Sequence, residues 1–155
     1  MSYIIGMDLT SIDSSAKFKL GGIGQTNDGK LYKYVKYEAA TAAVAGVLGE
    51  VAYYATVAVG DATGTIVTSD LSDSDAVGAG VLQASLTDGS YGWVQVSGLA
   101  TLSIALTAGV DGDALTPTGA GDGTLDVNIA TAANTDICAR AIDASANIIM
   151  CDFVR

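Results

Sequence analysis

The chain has 155 residues, enough for one domain and short for two. It carries 17 acidic and 7 basic residues, a net charge of −10, and no histidine. Its apolar half is dominated by Ala, Gly, Val and Thr neighbours rather than aromatics, which suits thin strands and tight turns better than long amphipathic helices. Without histidine, Ser-His-Asp and Cys-His nucleophile systems and His-based metal catalysis are excluded.

Residues 1–16 read as an extended N-terminal arm, and residues 17–155 as one β-rich domain. In the arm Tyr3, Ile4, Ile5, Met7, Leu9 and Ile12 are apolar, but Gly6, Ser11, Ser14 and Ser15 break any helical period. Such a segment is either flexible or ordered by what it lies against, and could add a strand to a neighbour's sheet edge. Residues 17–38 predict a hairpin about Thr26-Asn27-Asp28-Gly29, because Lys30, Tyr32, Tyr34 and Lys36 alternate with Leu31, Lys33, Val35 and Tyr37. Residues 39–46 are alanine-rich and allow two helical turns at most.

Residues 47–59 are β-rich, 60–64 form a turn, and 65–68 are a short strand. Residues 69–80 read as a polar loop and 81–86 as the next strand. Two strands follow at 91–98 and 100–106, separated by Gly98, and Trp93 lies in the first of them. Trp93 reads as core, with an exposed interface anchor as the alternative. Residues 113–117, 124–129, 137–142 and 146–154 complete the series, and in the last Ile149, Cys151 and Phe153 share one face. Many short strands at regular spacing predict an all-β fold, a single small β-sandwich or β-barrel of antiparallel strands. The segment 44–50, VAGVLGE, echoes 107–113, TAGVDGD, and each is followed by a strand and then by Gly-Thr-Ile or Gly-Thr-Leu at 64–66 or 123–125.

Charge and chemistry narrow the function. Five of the seven cations, Lys17, Lys19, Lys30, Lys33 and Lys36, lie in one stretch, and none occurs from Tyr37 to Ala139. That pattern argues against nucleic acid and allows a basic end docking on an acidic partner. Cys138 and Cys151 lack CxxC spacing, and no phosphate-binding or dinucleotide-binding glycine motif occurs. Asp28, Asp61, Asp88, Asp111 and Asp122 fall in glycine- or serine-rich turns, where acids serve turn hydrogen bonding. Asp70, Asp73 and Asp75, and again Asp111, Asp113 and Asp122, crowd two loops that could attract calcium, but neither follows the EF-hand order. No enzyme, cofactor or metal site is expected. No basic-plus-apolar leader or span of about 18 apolar residues is visible, so a soluble protein made in the cytoplasm is expected.

The succession DGKLYKYVKYEA at 28–39, AGVLGEVAYY at 45–54, YGWVQVSGLATLSI at 91–104 and AGVDGDALTPTGAGDGTLD at 108–126 resembles the capsid decoration, or cement, proteins of tailed phages. The likeness spans roughly residues 28–155. It implies a non-enzymatic virion protein on the outer surface of the expanded head, a homotrimer that bridges subunits of the major capsid protein. It also implies an N-terminal arm ordered on the capsid, which would place Tyr3, Ile4, Ile5, Met7, Leu9, Lys17 and Lys19 at the contact. The alternatives are a tail-tube or fibre-associated protein and a calcium- or carbohydrate-binding module.

Overall fold

The computed structural model describes residues 6–39, 43–56, 64–129 and 136–155. The alternating run after the Asn-Asp-Gly turn forms a hairpin: β1 (Ile23–Gln25) pairs antiparallel with β2 (Leu31–Tyr37). Then come β3 (Val51–Ala55), β4 (Ile66–Thr68), β5 (Ser74–Leu82), β6 (Tyr91–Thr101), β7 (Ala114–Thr116), β8 (Asp126–Val127), β9 (Ala139–Asp143) and β10 (Ile148–Asp152). The fold is all-β, as expected, and its strands join in the order β1-β2-β4-β3-β5-β6-β10-β9-β7-β8.

An additional pairing of β2 with β6 closes a ring, β2-β4-β3-β5-β6. Only the β2–β4 contact in it is parallel; the others are antiparallel. The result is a five-stranded barrel with a four-stranded antiparallel extension, β10-β9-β7-β8. β6 serves both parts in succession: residues 91–97 pair with β2 and residues 97–101 with β10.

Several expected boundaries move, and of the strand expected at 81–86 only the first two residues are strand, as the end of β5. The stretch 69–80 is a loop only in its first part, because β5 starts at Ser74. Its second part is made of small residues that read as loop but serve packing: a Cβ at Gly78 would sit 2.8 Å from the Phe153 ring, and one at Gly80 2.7 Å from the Gln95 carbonyl. Likewise Gly98 does not separate two strands. It lies at φ 98° inside β6, and the strand continues to Thr101. Of the alanine-rich segment, 40–42 lie outside the described residues, as do 57–63 of the next strand and turn.

The echo between 44–50 and 107–113 is structural. In each copy the valine N–H bonds the acidic side chain three residues on, Val47 to Glu50 Oε2 and Val110 to Asp113 Oδ2, both at 2.9 Å. Gly49 and Gly112 take φ 86° and 90°. Gly49 N–H donates to Leu82 and Leu82 N–H to the Glu50 carbonyl; Gly112 N–H donates to Ala141 and Ala141 N–H to the Asp113 carbonyl. The strands that follow keep the pattern. β4-β3-β5-β6 on one side of the β6–β10 pair mirrors β8-β7-β9-β10 on the other. The molecule is a duplicated four-stranded unit, and only the first copy is closed by β2.

The core holds both units together. Val35, Val51, Val67, Leu82, Val94 and Val96 from the barrel meet Leu115, Leu125, Ile149 and Phe153 from the extension in one buried cluster. Tyr53 crosses between them: its hydroxyl donates to the Thr124 carbonyl at 2.5 Å, with the Gly121 carbonyl also near at 3.0 Å, and accepts from Thr124 N–H at 2.9 Å. Burial pushes its phenol well above the ordinary range.

Candidate functional site

The anticipated contact residues divide into four places. Tyr3, Ile4 and Ile5 lie outside the described residues. Met7 and Leu9 are half-buried against a second apolar cluster of Tyr32, Tyr34 and Trp93, which Phe18, Leu20 and Tyr91 complete. Gly24 makes this possible, since a Cβ there would collide with Met7 Sδ. Trp93 is fully buried among aromatic rings, tilted 57° to Tyr34 and 56° to Phe18 with centroids at 5.0 and 5.3 Å.

Asp13 pins this segment. It exchanges two backbone hydrogen bonds with Tyr91, N–H to carbonyl in each direction, at 2.9 and 2.8 Å. Its carboxylate accepts the Tyr34 hydroxyl at 2.7 Å and pairs with Lys17 at 2.6 Å. Burial pushes the Asp13 carboxyl up, but Lys17 and Tyr34 outweigh it and hold the group below its usual value. The Tyr34 phenol is pushed up to about 12, by burial first and then by the bond to Asp13. Lys17 is therefore spent on a structural ion pair, although its side chain remains largely exposed. Lys19 is separate from these groups and lines a cleft with Lys33 and Arg155.

Exposed apolar side chains also lie on the outer face of β6, β10 and β9. Leu99 and Met150 are cross-strand partners, 44% and 41% exposed. Met150 pairs on its other side with Arg140, and Ile142, also exposed, lies two residues along β9. Beside them Leu48, Leu99 and Ile148 line a groove of about 560 Å³ with Lys30 and Gln95. Gln95 is buried and its amide donates to the Leu99 carbonyl at 2.8 Å, so it stiffens the β6 kink under the groove. This surface was not anticipated, yet β10 carries a signal for it. Ile149, Cys151 and Phe153 fill the inner face, which leaves the equally apolar Ile148 and Met150 with no reason to be apolar unless the outer face is also used.

The acids are largely consumed by turns. Asp70 accepts from Ser72 N–H and Oγ, Asp122 from Leu71 N–H, Asp111 from Ala144 N–H and Asp88 from Ala39 N–H. Among the described residues no three His, Cys, Asp or Glu side chains gather as a metal site. Cys138 and Cys151 are both buried free thiols, and burial pushes both up, Cys151 to about 12. Among the described residues no helix is long and apolar enough to cross a membrane. No family model, curated protein or solved structure matches the chain.

Proposed function

We propose that the protein is a structural component of a tailed-phage virion that adheres to the outer surface of the expanded head and stabilises contacts between major capsid subunits. The observation that carries this reading is the apolar outer face of Leu99, Met150, Ile148 and Ile142, on a domain whose core is complete without it. Contiguous exposed apolar surface on a small domain marks protein–protein contact. The choice of a capsid as partner is supported by the resemblance of the sequence phrases at 28–39, 45–54, 91–104 and 108–126 to decoration proteins. Binding to the assembled shell alone stabilises that shell by mass action, and many weakly held copies sum to a strong effect.

The test uses expanded heads stripped of this protein. Wild-type protein is expected to bind and to raise their resistance to heat. The double variant Leu99→Glu/Met150→Glu is expected to fold with a melting temperature only a few degrees lower, from repulsion of like charges across β6 and β10, and to lose binding by about tenfold or more, from two buried charges at the contact. Failure of the wild-type protein to bind refutes the reading. Sedimentation of the free protein tests the trimer that this reading includes: a trimeric mass supports it, and stacked rings point to a tail tube.

A further inference from the structure

The cleft beside the β1–β2 hairpin has a composition that the rest of the chain does not prepare for. Lys19, Lys33 and Arg155 line it together with Leu20, Gly21, Gly22 and Thr65, and no acidic residue is among them. Three of only seven cations in a chain of net charge −10 thus converge on one opening of about 390 Å³. Of the other four cations, Lys17 pairs with Asp13, Lys30 with Asp28 and Lys36 with Glu38, while Arg140 donates to the Gly112 carbonyl at 3.4 Å. Among the described residues, no carboxylate lies within ion-pair distance of Lys19, Lys33 or Arg155.

Lys33 forms the floor. It stands on β2, 7% exposed, and its ammonium donates to Tyr54 Oη at 2.9 Å and to the Gly64 carbonyl at 2.8 Å. Both acceptors are neutral, and an ammonium has three hydrogens to give. The third has no acceptor among the described residues. Burial lowers this ammonium's pKa. Tyr54 Oη in turn donates to the Val154 carbonyl at 2.9 Å, which fastens the backbone next to Arg155 at the rim. Gly21, at φ 77°, turns the chain so that Lys19 stands opposite; its position lies in contact range of Thr65 Cγ2 and Lys33 Cε.

We propose that this cleft is a binding site for a carboxylate presented by an acidic segment of a partner protein. A cleft lined by three cations, with no ion-pair partner for them among the described residues, favours a seated carboxylate, and the site supplies both a fixed ammonium and a planar guanidinium for it. In a chain of net charge −10, a cationic cleft also orients the approach of an acidic partner. The inference goes beyond the capsid reading and depends only on the cleft: the acidic segment could belong to any protein.

The experiment follows backbone amide resonances of the full chain while a capped tetraglutamate peptide, and separately inorganic phosphate, is added at constant ionic strength. The peptide is expected to give saturable shifts confined to residues 19–22, 33 and 64–65. Lys19→Ala/Arg155→Ala should weaken that response about tenfold, while the charge-matched control Lys30→Ala/Arg140→Ala leaves it unchanged. Absence of saturable shifts, or equal loss in the control, overturns the proposal. Shifts with phosphate but not with the peptide also overturn it, and make the cleft a free-anion site.

Discussion

Asp13 shows how much one side chain can hold. It is almost fully buried, joins the N-terminal segment to β6 through Tyr91, and takes its charge-assisted bond from Tyr34 on β2. Tyr34→Phe removes that bond while keeping the ring, and is expected to cost about 1.5–3 kcal/mol in urea unfolding at neutral pH. The pH dependence has a definite sign. The folded carboxyl sits below its ordinary value of 3.8, so its contribution is complete above that value and is lost as pH falls through the lower folded one. Asp13→Asn should therefore flatten the decline of stability on acidification below about pH 4. The slope that remains comes from Asp28, Asp88 and Asp143, lowered by hydrogen bonds from Thr26, the Ala39 N–H and Ser145. An unchanged acid limb would show that the Asp13 pair is open in solution. None of this was legible in the sequence, where Asp13 is one acid in a serine-rich stretch. Trp93 was legible as core from its alternating run, but nothing in that run says its cover is the N-terminal segment.

At the scale of elements, the hairpin and the last two strands were readable because one face of each is apolar with period two. β5 was not. Its glycines and alanines lack the bulk that signals a strand, since the room beside them is filled from elsewhere, by Phe153 at Gly78 and by Val94 at Gly80. The arm was assigned to residues 1–16 as a unit apart, and the structure lays Met7 and Leu9 on the aromatic cluster of the body. Deleting residues 2–12 leaves the Asp13–Tyr91 bridge and the barrel pairings in place. The shortened protein is expected to fold, to lose about 1–3 kcal/mol from two half-buried side chains, and to shift its tryptophan emission to the red as Trp93 meets water. Emission that stays in place would mean that Phe18 and Leu20 cover Trp93 unaided. For candidate contacts, legibility was poorest: the outer apolar face is assembled from β6, β10 and β9, and only pairing across strands far apart in sequence brings Leu99 to Met150.

For the molecule as a whole, duplication with unequal closure is the governing fact. The first unit has β2 along β4 and β6, whereas among the described residues no strand plays that part against β8. Amide groups locked on both sides exchange only through large openings, and those near an open margin exchange through small ones. Native-state hydrogen exchange should accordingly be slowest at Tyr34, Val35, Val94 and Val81, and at least tenfold faster at Thr116 and Val127. Equal protection in the two halves would show that they open as one cooperative body and that closure by β2 contributes little.

The two glycines at φ 86° and 90° make the molecule its own control experiment. Alanine at either site meets the same backbone penalty, about 1 kcal/mol. Around them the halves have drifted apart: a methyl at Gly49 would press on Ser103 backbone nitrogen at 3.1 Å, while at Gly112 it would find nothing within 4 Å. Gly49→Ala should thus be the costlier change in thermal unfolding. Subtracting one cost from the other cancels torsion and leaves crowding alone, a separation that ordinarily requires two different proteins.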